Sequence, residues 1–258
     1  GAVHRSGTPA ILPGNRASVR STAMYTDAYA TAGATRADHA YAELKRRLLS
    51  GEFALNVRLG EERLASLIGM SRTPIREALF RLHAEGLVER WPDGGFRPVA
   101  PDVSVMRDIY EVRAALEVTA IRRPSQQGTV HDREILDGLR SDWLQLAEDV
   151  DHEPDPGFVA VDESFHITLA EAAGNSVLVD QLRQLNDRIR VVRMQDFMVE
   201  GRIQTTVAEH LAILDALLDG RSADAERLLS EHIGGSIGVV EDRVRRAVTR
   251  MVQGGAES

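Results

Sequence analysis

The 258-residue chain predicts a mainly α protein in two parts. The first is a small unit of three helices closed by a β-hairpin. The second is an all-α antiparallel helical bundle. Three observations carry this. Apolar residues recur at helical spacing between residues 37 and 84, and two short apolar runs then flank a Pro-Asp-Gly-Gly turn. Beyond residue 102 the only periodicity is helical, with no strand pattern and no internal repeat. Hydrophobic residues make up 43% of the chain but aromatics only 5%, so the cores must be Leu, Val, Ile and Ala, which suits packed helices.

Charge supports the division. The formal net charge of −8 resolves into +3 for residues 1–36, +1 for 37–101 and −12 for 102–258, placing a boundary near Ala100-Pro101-Asp102. Cysteine is absent, which excludes a disulfide framework and a thiolate metal site. No apolar run approaches the roughly 18–20 residues of a membrane span, so no membrane partner is expected.

Taken in order, residues 1–36 are rich in Gly, Ala, Ser, Thr, Arg and Pro without periodicity, and read as a disordered tail. Ala37–Ser50 places Ala40, Leu44 and Leu48 on one face, and Gly51 stops it. Glu61–Ile68 forms a second helix ended by Gly69. Ser71 is an N-cap candidate for a third, with Pro74 in the first turn, where its missing N–H costs little. Ile75, Ala78, Leu79 and Leu82 supply its apolar face, while Arg72, Thr73 and Arg76 project from its start. LVER and FRPV around Pro92-Asp93-Gly94-Gly95 read as a hairpin. A winged helix-turn-helix reader of double-stranded DNA needs this arrangement over 37–101. The helix start enters the major groove, where arginine binds phosphate or guanine O6 and N7. The bland alternative is a solvated helix that happens to be basic.

The bundle spans residues 102–252, with a short tail at 253–258. Six helical segments are predicted: 103–123, 132–149, 156–173, 176–197, 202–218 and 223–251. Asp162 and His166 are four apart and share a helix face. His210 and His232 lie on the fifth and sixth segments. Three imidazoles and a carboxylate suit a borderline divalent cation, Zn²⁺ first, with Ni or Mn as alternatives. Isolated histidines in helices are more often surface or packing residues, so spacing alone leaves both readings open.

The phrase SRTPIREAL, within GEFALNVRLGEERLASLIGMSRTPIREALFRLHAEGLVER, resembles the winged-helix domain of the GntR family of bacterial transcription regulators. DESFHITLAEAAGN, AEHLAILDALLDG and LLSEHI resemble the helical FCD domain of its FadR subfamily. The six-helix count resembles the VanR-like branch. Together the resemblance covers residues 37–250. It implies a metabolite-responsive repressor, cytoplasmic and nucleoid-associated in a bacterium. Such a protein binds a pseudo-palindromic operator as a homodimer through Ser71, Arg72, Thr73, Arg76 and the wing tip Gly94-Gly95. It implies a metal held by Asp162, His166, His210 and His232. Arg113, in EVRAALE, is implied to face a small carboxylic acid effector, with Arg188, Arg190 and Arg193 as further candidates, of which at most two face inward. The bland reading of Arg113 is a salt bridge to Glu111 or Glu117. The metal and Arg113 together are expected to make the pocket strongly positive.

Three departures stand out. IRRPSQQG is expected to break the first bundle helix. Gly234, Gly235 and Gly238 are expected to kink the last one. Glu62 stands where some members carry arginine. The reading from a different class is a metal-dependent hydrolase or lyase fused to a DNA module. Glu163 is the nearest candidate base, but adjacent helical residues diverge by about 100°. No acid/base pair declares itself, so no enzymatic activity is expected.

Overall fold

The computed structural model describes residues 35–92, 94–148, 153–237 and 239–253. The expected tail at 1–34 and the end at 254–258 lie outside the described residues. Helix α1 (Arg36–Leu49) begins one residue inside that expected tail, because Thr35 and Asp38 form a reciprocal capping box. Helix α2 (Glu61–Ile68) ends on Gly69 in the left-handed conformation, φ 72°. Helix α3 (Arg72–Ala84) follows after Ser71. Ala40, Leu44, Leu48, Leu64, Ile75, Leu79 and Leu82 close one apolar core with Val88 and Phe96 of the hairpin.

Strands β1 (Val88–Arg90) and β2 (Phe96–Pro98) pair antiparallel, with Val88 opposite Pro98. Sequence missed one element of this wing. The Leu59 N–H donates to the Phe96 carbonyl at 2.7 Å, so the loop before α2 covers the β2 edge. A single bridging residue carries no periodicity to read.

The second part contains α4 (Val103–Gln126), α5 (Arg133–Glu148), α6 (Phe158–Ala172), α7 (Ser176–Arg193), a 3₁₀ turn at Asp196–Met198, α8 (Arg202–Leu218), α9 (Ser222–Ile237) and α10 (Val240–Gln253). Two expectations are corrected. Pro124 does not break α4, which runs on to Gln126. Proline leaves the Ala120 carbonyl without its helical N–H, and His131 Nε2 takes that carbonyl at 3.1 Å instead. The last segment, predicted as one helix over 223–251, is two, α9 and α10. Glycines at 234, 235 and 238 weaken the helix there. The described residues thus hold seven bundle helices where the sequence predicts six.

Leucine, isoleucine and aromatic side chains of α5, α6, α8 and α9 form the main core. Helix α10 packs Val240, Val244 and Ala247 against Tyr110 of α4 and Ile189 and Val192 of α7. Contacts between the parts, among the described residues, include two polar ones. The Leu55 N–H donates to the Met251 carbonyl at 3.4 Å. Lys45 of α1 pairs with Asp187 of α7 at 2.7 Å. No helix among the described residues is long and apolar enough to cross a membrane.

Candidate metal centre and DNA interface

Helix α6 presents Asp162 and His166 one turn apart, α8 presents His210 and α9 presents His232. All four are buried, and one ligand atom from each falls within 4.8 Å of the others. His210 Nε2 lies 3.2 Å from His232 Nε2 and 3.6 Å from Asp162 Oδ1. His166 Nε2 lies 3.8 Å from Asp162 Oδ2.

The imidazoles are oriented by their neighbours. His166 Nδ1 meets Glu117 Oε2 at 2.5 Å, and Glu117 is clamped by Arg113 Nε at 2.6 Å. His232 Nδ1 meets Glu209 Oε2 at 2.7 Å, and Arg202 approaches the same carboxylate at 3.5 Å. His210 is fixed by packing: its ring stacks on Phe165 at 3.6 Å and stands edge-on to Trp143 at 4.4 Å. With each Nδ1–H donated to a carboxylate, the Nε2 lone pairs of His166 and His232 turn inward. Burial lowers the pKa of all three histidines, to about 4 for His232. They are therefore neutral donors near pH 7. His166 Nε2 is buried without a hydrogen-bond partner among the described residues, and Asp162 Oδ2 is paired there with Arg193. Inward-facing nitrogens, His166 Nε2 among them without a partner, and the adjoining Asp162 carboxylate fit a divalent cation.

Arg113 is fully buried and does pair with Glu117, so the bland reading names the right partner in the wrong setting. That pair is the support of His166, not a surface contact. Burial raises the Glu117 carboxyl, but Arg113 and then His166 outweigh it and hold the pKa at about 2. Of the other arginines, Arg188 is exposed while Arg190 and Arg193 are buried. Arg193 closes on Asp162 and reaches Asn186 Oδ1 at 3.5 Å. Tyr110 Oη, Arg113 Nη2 and Asn186 Nδ2 are buried with no partner among the described residues. The Arg113 and Arg193 charges act on the Tyr110 phenol, whose pKa burial raises. Glu163 pairs with Arg190 and lies 3.6 Å from Arg193 Nη1, in agreement with its pointing away from the imidazoles.

The positive pocket is expected of the metal and Arg113 together, and the side chains alone do not supply it. Arg113, Arg190 and Arg193 are matched by Glu117, Asp162 and Glu163 within the same buried layer. The layer becomes net positive only with a cation on the histidines. Sequence reasoning missed Tyr110, Asn186 and Glu209, and took Glu117 only as a salt-bridge partner of Arg113. The Arg113/Glu117 spacing of four was a legible signal, and the Glu209–His232 pair, 23 residues apart, was not.

On the first part, Arg72 and Arg76 are exposed, at 61% and 54% of their side chains. Both point at Glu61, the first residue of α2. Arg76 grips it through two nitrogens at 2.8 Å each, and Arg72 approaches at 3.4 Å. Glu61 thus holds the two guanidinium groups on one exposed edge, a role that sequence reasoning did not assign. Ser71 makes no side-chain capping bond. Gly94 and Gly95 sit at φ 88° and 85°, and a Cβ on Gly95 would stand 3.1 Å from Arg58 Nε. The wing tip therefore requires glycine on conformation.

Residues 36–97 match the family of bacterial regulatory proteins of the gntR family, and residues 108–235 match the FCD domain. The Nta operon transcriptional regulator of Aminobacter aminovorans is 31% identical over 211 residues, which span 81% of this chain and 97% of that one. A putative L-lactate dehydrogenase operon regulatory protein of Escherichia coli K12 is 27% identical, covering 67% of this chain and 73% of its own. Among solved structures, E. coli McbR/YncC shares the fold with a TM-score of 0.65 at 20% identity, over 81% of this chain and 99% of that one. Fold and site thus define a helix-turn-helix DNA-binding regulator with a ligand-binding helical domain. The chain belongs to the gntR family of bacterial regulatory proteins, in its FCD-containing form. Its relatives are transcriptional regulators, not enzymes.

Proposed function

We propose that this regulator is a homodimeric repressor whose helical domain, residues 102–252, releases operator DNA when it binds a small carboxylate. The observation that carries this reading is the buried layer in which the Asp162, His166, His210 and His232 donors adjoin the unpartnered donors of Tyr110, Arg113 and Asn186. Such a layer suits an oxygen-rich anion. A divalent cation there, with zinc the first candidate, would supply Lewis-acid affinity for carboxylate and hydroxyl oxygens. Arg113 and Arg193 supply charge-assisted hydrogen bonds, Arg113 through the Nη2 that Glu117 leaves open. Tyr110 and Asn186 supply neutral donors. The L-lactate dehydrogenase operon relative favours a hydroxy or keto acid.

In the winged-helix domain, residues 37–101, Arg72 and Arg76 would read bases from the start of α3, helped by Ser71 and Thr73. Gly94 and Gly95 would let the wing backbone approach the duplex. A single winged helix offers a small interface, and two on a pseudo-palindrome double it. Light scattering should therefore give twice the 28.3 kDa chain mass. The decisive experiment is calorimetry of a panel of small carboxylates against wild type, Arg113→Ala and chelator-treated protein, with operator anisotropy in parallel. Affinity should fall in both altered proteins. An uncharged ligand, or a carboxylate indifferent to both changes, would refute the reading.

A further inference from the structure

A continuous row of alternating acidic and basic side chains runs from the candidate metal ligand to the end of the recognition helix. It starts at Asp162, which pairs with Arg193. Arg193 Nη1 lies 3.6 Å from Glu163 Oε1, whose other oxygen pairs with Arg190. Arg190 Nη2 lies 3.6 Å from Asp187 Oδ1, and Asp187 Oδ2 lies 2.7 Å from Lys45 Nζ. There the row leaves the bundle for the winged helix. Lys45 Nζ goes on to Glu85 Oε2 at 3.0 Å and to Tyr41 Oη at 2.9 Å, and Tyr41 donates to Glu85 Oε1 at 2.6 Å. Glu85 is the C-cap of α3, the helix that begins at Arg72.

We infer that Lys45 is a positioning residue that transmits the state of the Asp162 site to the recognition helix. Its ammonium faces three acceptors, Asp187 on α7, Glu85 at the end of α3, and Tyr41 on its own helix α1, which in turn donates to Glu85. An ammonium has three donors and no acceptor, so Lys45 cannot strengthen its bond to Asp187 without loosening the others. Asp162, Arg193, Glu163, Arg190, Asp187 and Lys45 are each less than a tenth exposed. Water and salt screen such a row weakly, so a charge added at one end is felt along it. A cation or an anion at the Asp162 end competes for Asp162 or for Arg193. That re-weights Arg193 toward or away from Glu163, then Arg190 toward or away from Asp187, and so the hold of Asp187 on Lys45. The row needs no helix displacement to carry the change, only redistribution among pairs that already touch. This rests on the proposed ligand site only for what perturbs the row. Lys45 itself touches none of the proposed ligand residues.

The test is amide hydrogen exchange of residues 83–87, at the end of α3, in the full-length protein. The row is perturbed in two separate ways: by adding Zn²⁺ alone, and by Asp162→Asn, with Arg193→Lys in its place if Asp162→Asn fails to fold. Each perturbation is applied in wild type, Lys45→Met, Asp187→Asn and the conservative Lys45→Arg. Zinc stoichiometry is measured throughout. Either perturbation should change exchange at Gly86 and Leu87 by about five-fold or more in wild type, the lower end of ordinary coupling between sites. Lys45→Met and Asp187→Asn should abolish the change while zinc stoichiometry stays the same, and Lys45→Arg should restore it. A merely structural lysine would alter basal exchange equally with and without the perturbation. The inference is overturned if Lys45→Met keeps the wild-type response, or if the Asp162 or Arg193 substitution leaves residues 83–87 unchanged in wild type. If zinc does not bind but the substitution response is present and depends on Lys45, the row stands and the metal reading falls.

Discussion

Glu117→Gln removes one charge from the centre of the helical domain and tests how the metal layer is supported. Glu117 is about 1% exposed and accepts from Arg113 at 2.6 Å and from His166 at 2.5 Å. The substitution keeps the shape but leaves the Arg113 guanidinium buried without a counter-charge, which costs about 3–5 kcal/mol. The carboxyl's pKa falls from 4.5 to about 2, as Arg113 and His166 outweigh the burial that raises it, so folding favours its ionised form. The sign is also fixed. A carboxyl whose pKa is depressed by folding stabilises the native state fully above the unfolded pKa, and the benefit fades as pH falls from 4.5 toward about 2. Urea melts of the helical domain in chelator at pH 7 should therefore show Glu117→Gln less stable by about 3 kcal/mol. The gap should shrink by about 1 kcal/mol near pH 3.5. A loss below about 1 kcal/mol at pH 7, or a gap that does not narrow in acid, would refute the view that Glu117 is an ionised strut between Arg113 and His166.

Other outcomes follow from the same geometry. Arg72→Ala should cost about 1–3 kcal/mol in operator binding and relax base choice at one position, checked by anisotropy on single-base operator variants. Glu209→Gln takes the negative charge from the acceptor of His232 Nδ1 and should weaken zinc binding about 10- to 100-fold in a competition titration. His210→Ala and His232→Ala should each abolish stoichiometric zinc. His131→Ala strips the Ala120 carbonyl of its partner and should cost about 1–3 kcal/mol in thermal melts. In a Pro124→Ala background the helix N–H returns, so the same change should cost clearly less. Equal costs in both backgrounds would show that His131 does not stand in for the missing amide.

Local signals were readable from the sequence and long-range ones were not. Caps and stops are chemical facts about one or two residues, so Gly51, Gly69 and Ser71 mark helix ends where the structure puts them. The apolar stripe of α3 gives its buried face directly. Pro124 misled because proline's penalty is local while its remedy, His131, comes from the next loop. Glycine in the last segment was read as a kink, and it gives a full break into α9 and α10. At the site, Asp162 and His166 follow from helical spacing. The convergence of α6, α8 and α9 needed the family resemblance. Glu209 and Asn186 had no signal, because nothing within their own helices says which helix will face them.

The two parts of the molecule hold together by different physics, and this bears on how a ligand acts. The winged-helix core is almost wholly apolar, from Ala40 to Phe96. The bundle has an apolar core too, but it also buries Arg113, Glu117, Asp162, Glu163, Arg190 and Arg193 in one layer. Buried ion pairs roughly break even against their desolvation, so this layer adds little net stability. Its orphaned atoms, His166 Nε2, Tyr110 Oη and Arg113 Nη2 among them, each lack a bond that a cation or an anion could supply. Ligand binding should then stabilise the bundle selectively. At one hundred times the dissociation constant, zinc adds about 2.7 kcal/mol to whichever unit holds it. Calorimetric scans should show the bundle transition rising with zinc, and rising further with a bound carboxylate. In Lys45→Met the winged-helix transition should stay in place. A uniform upward shift of both transitions in Lys45→Met would mean that the parts are coupled by contacts other than that lysine.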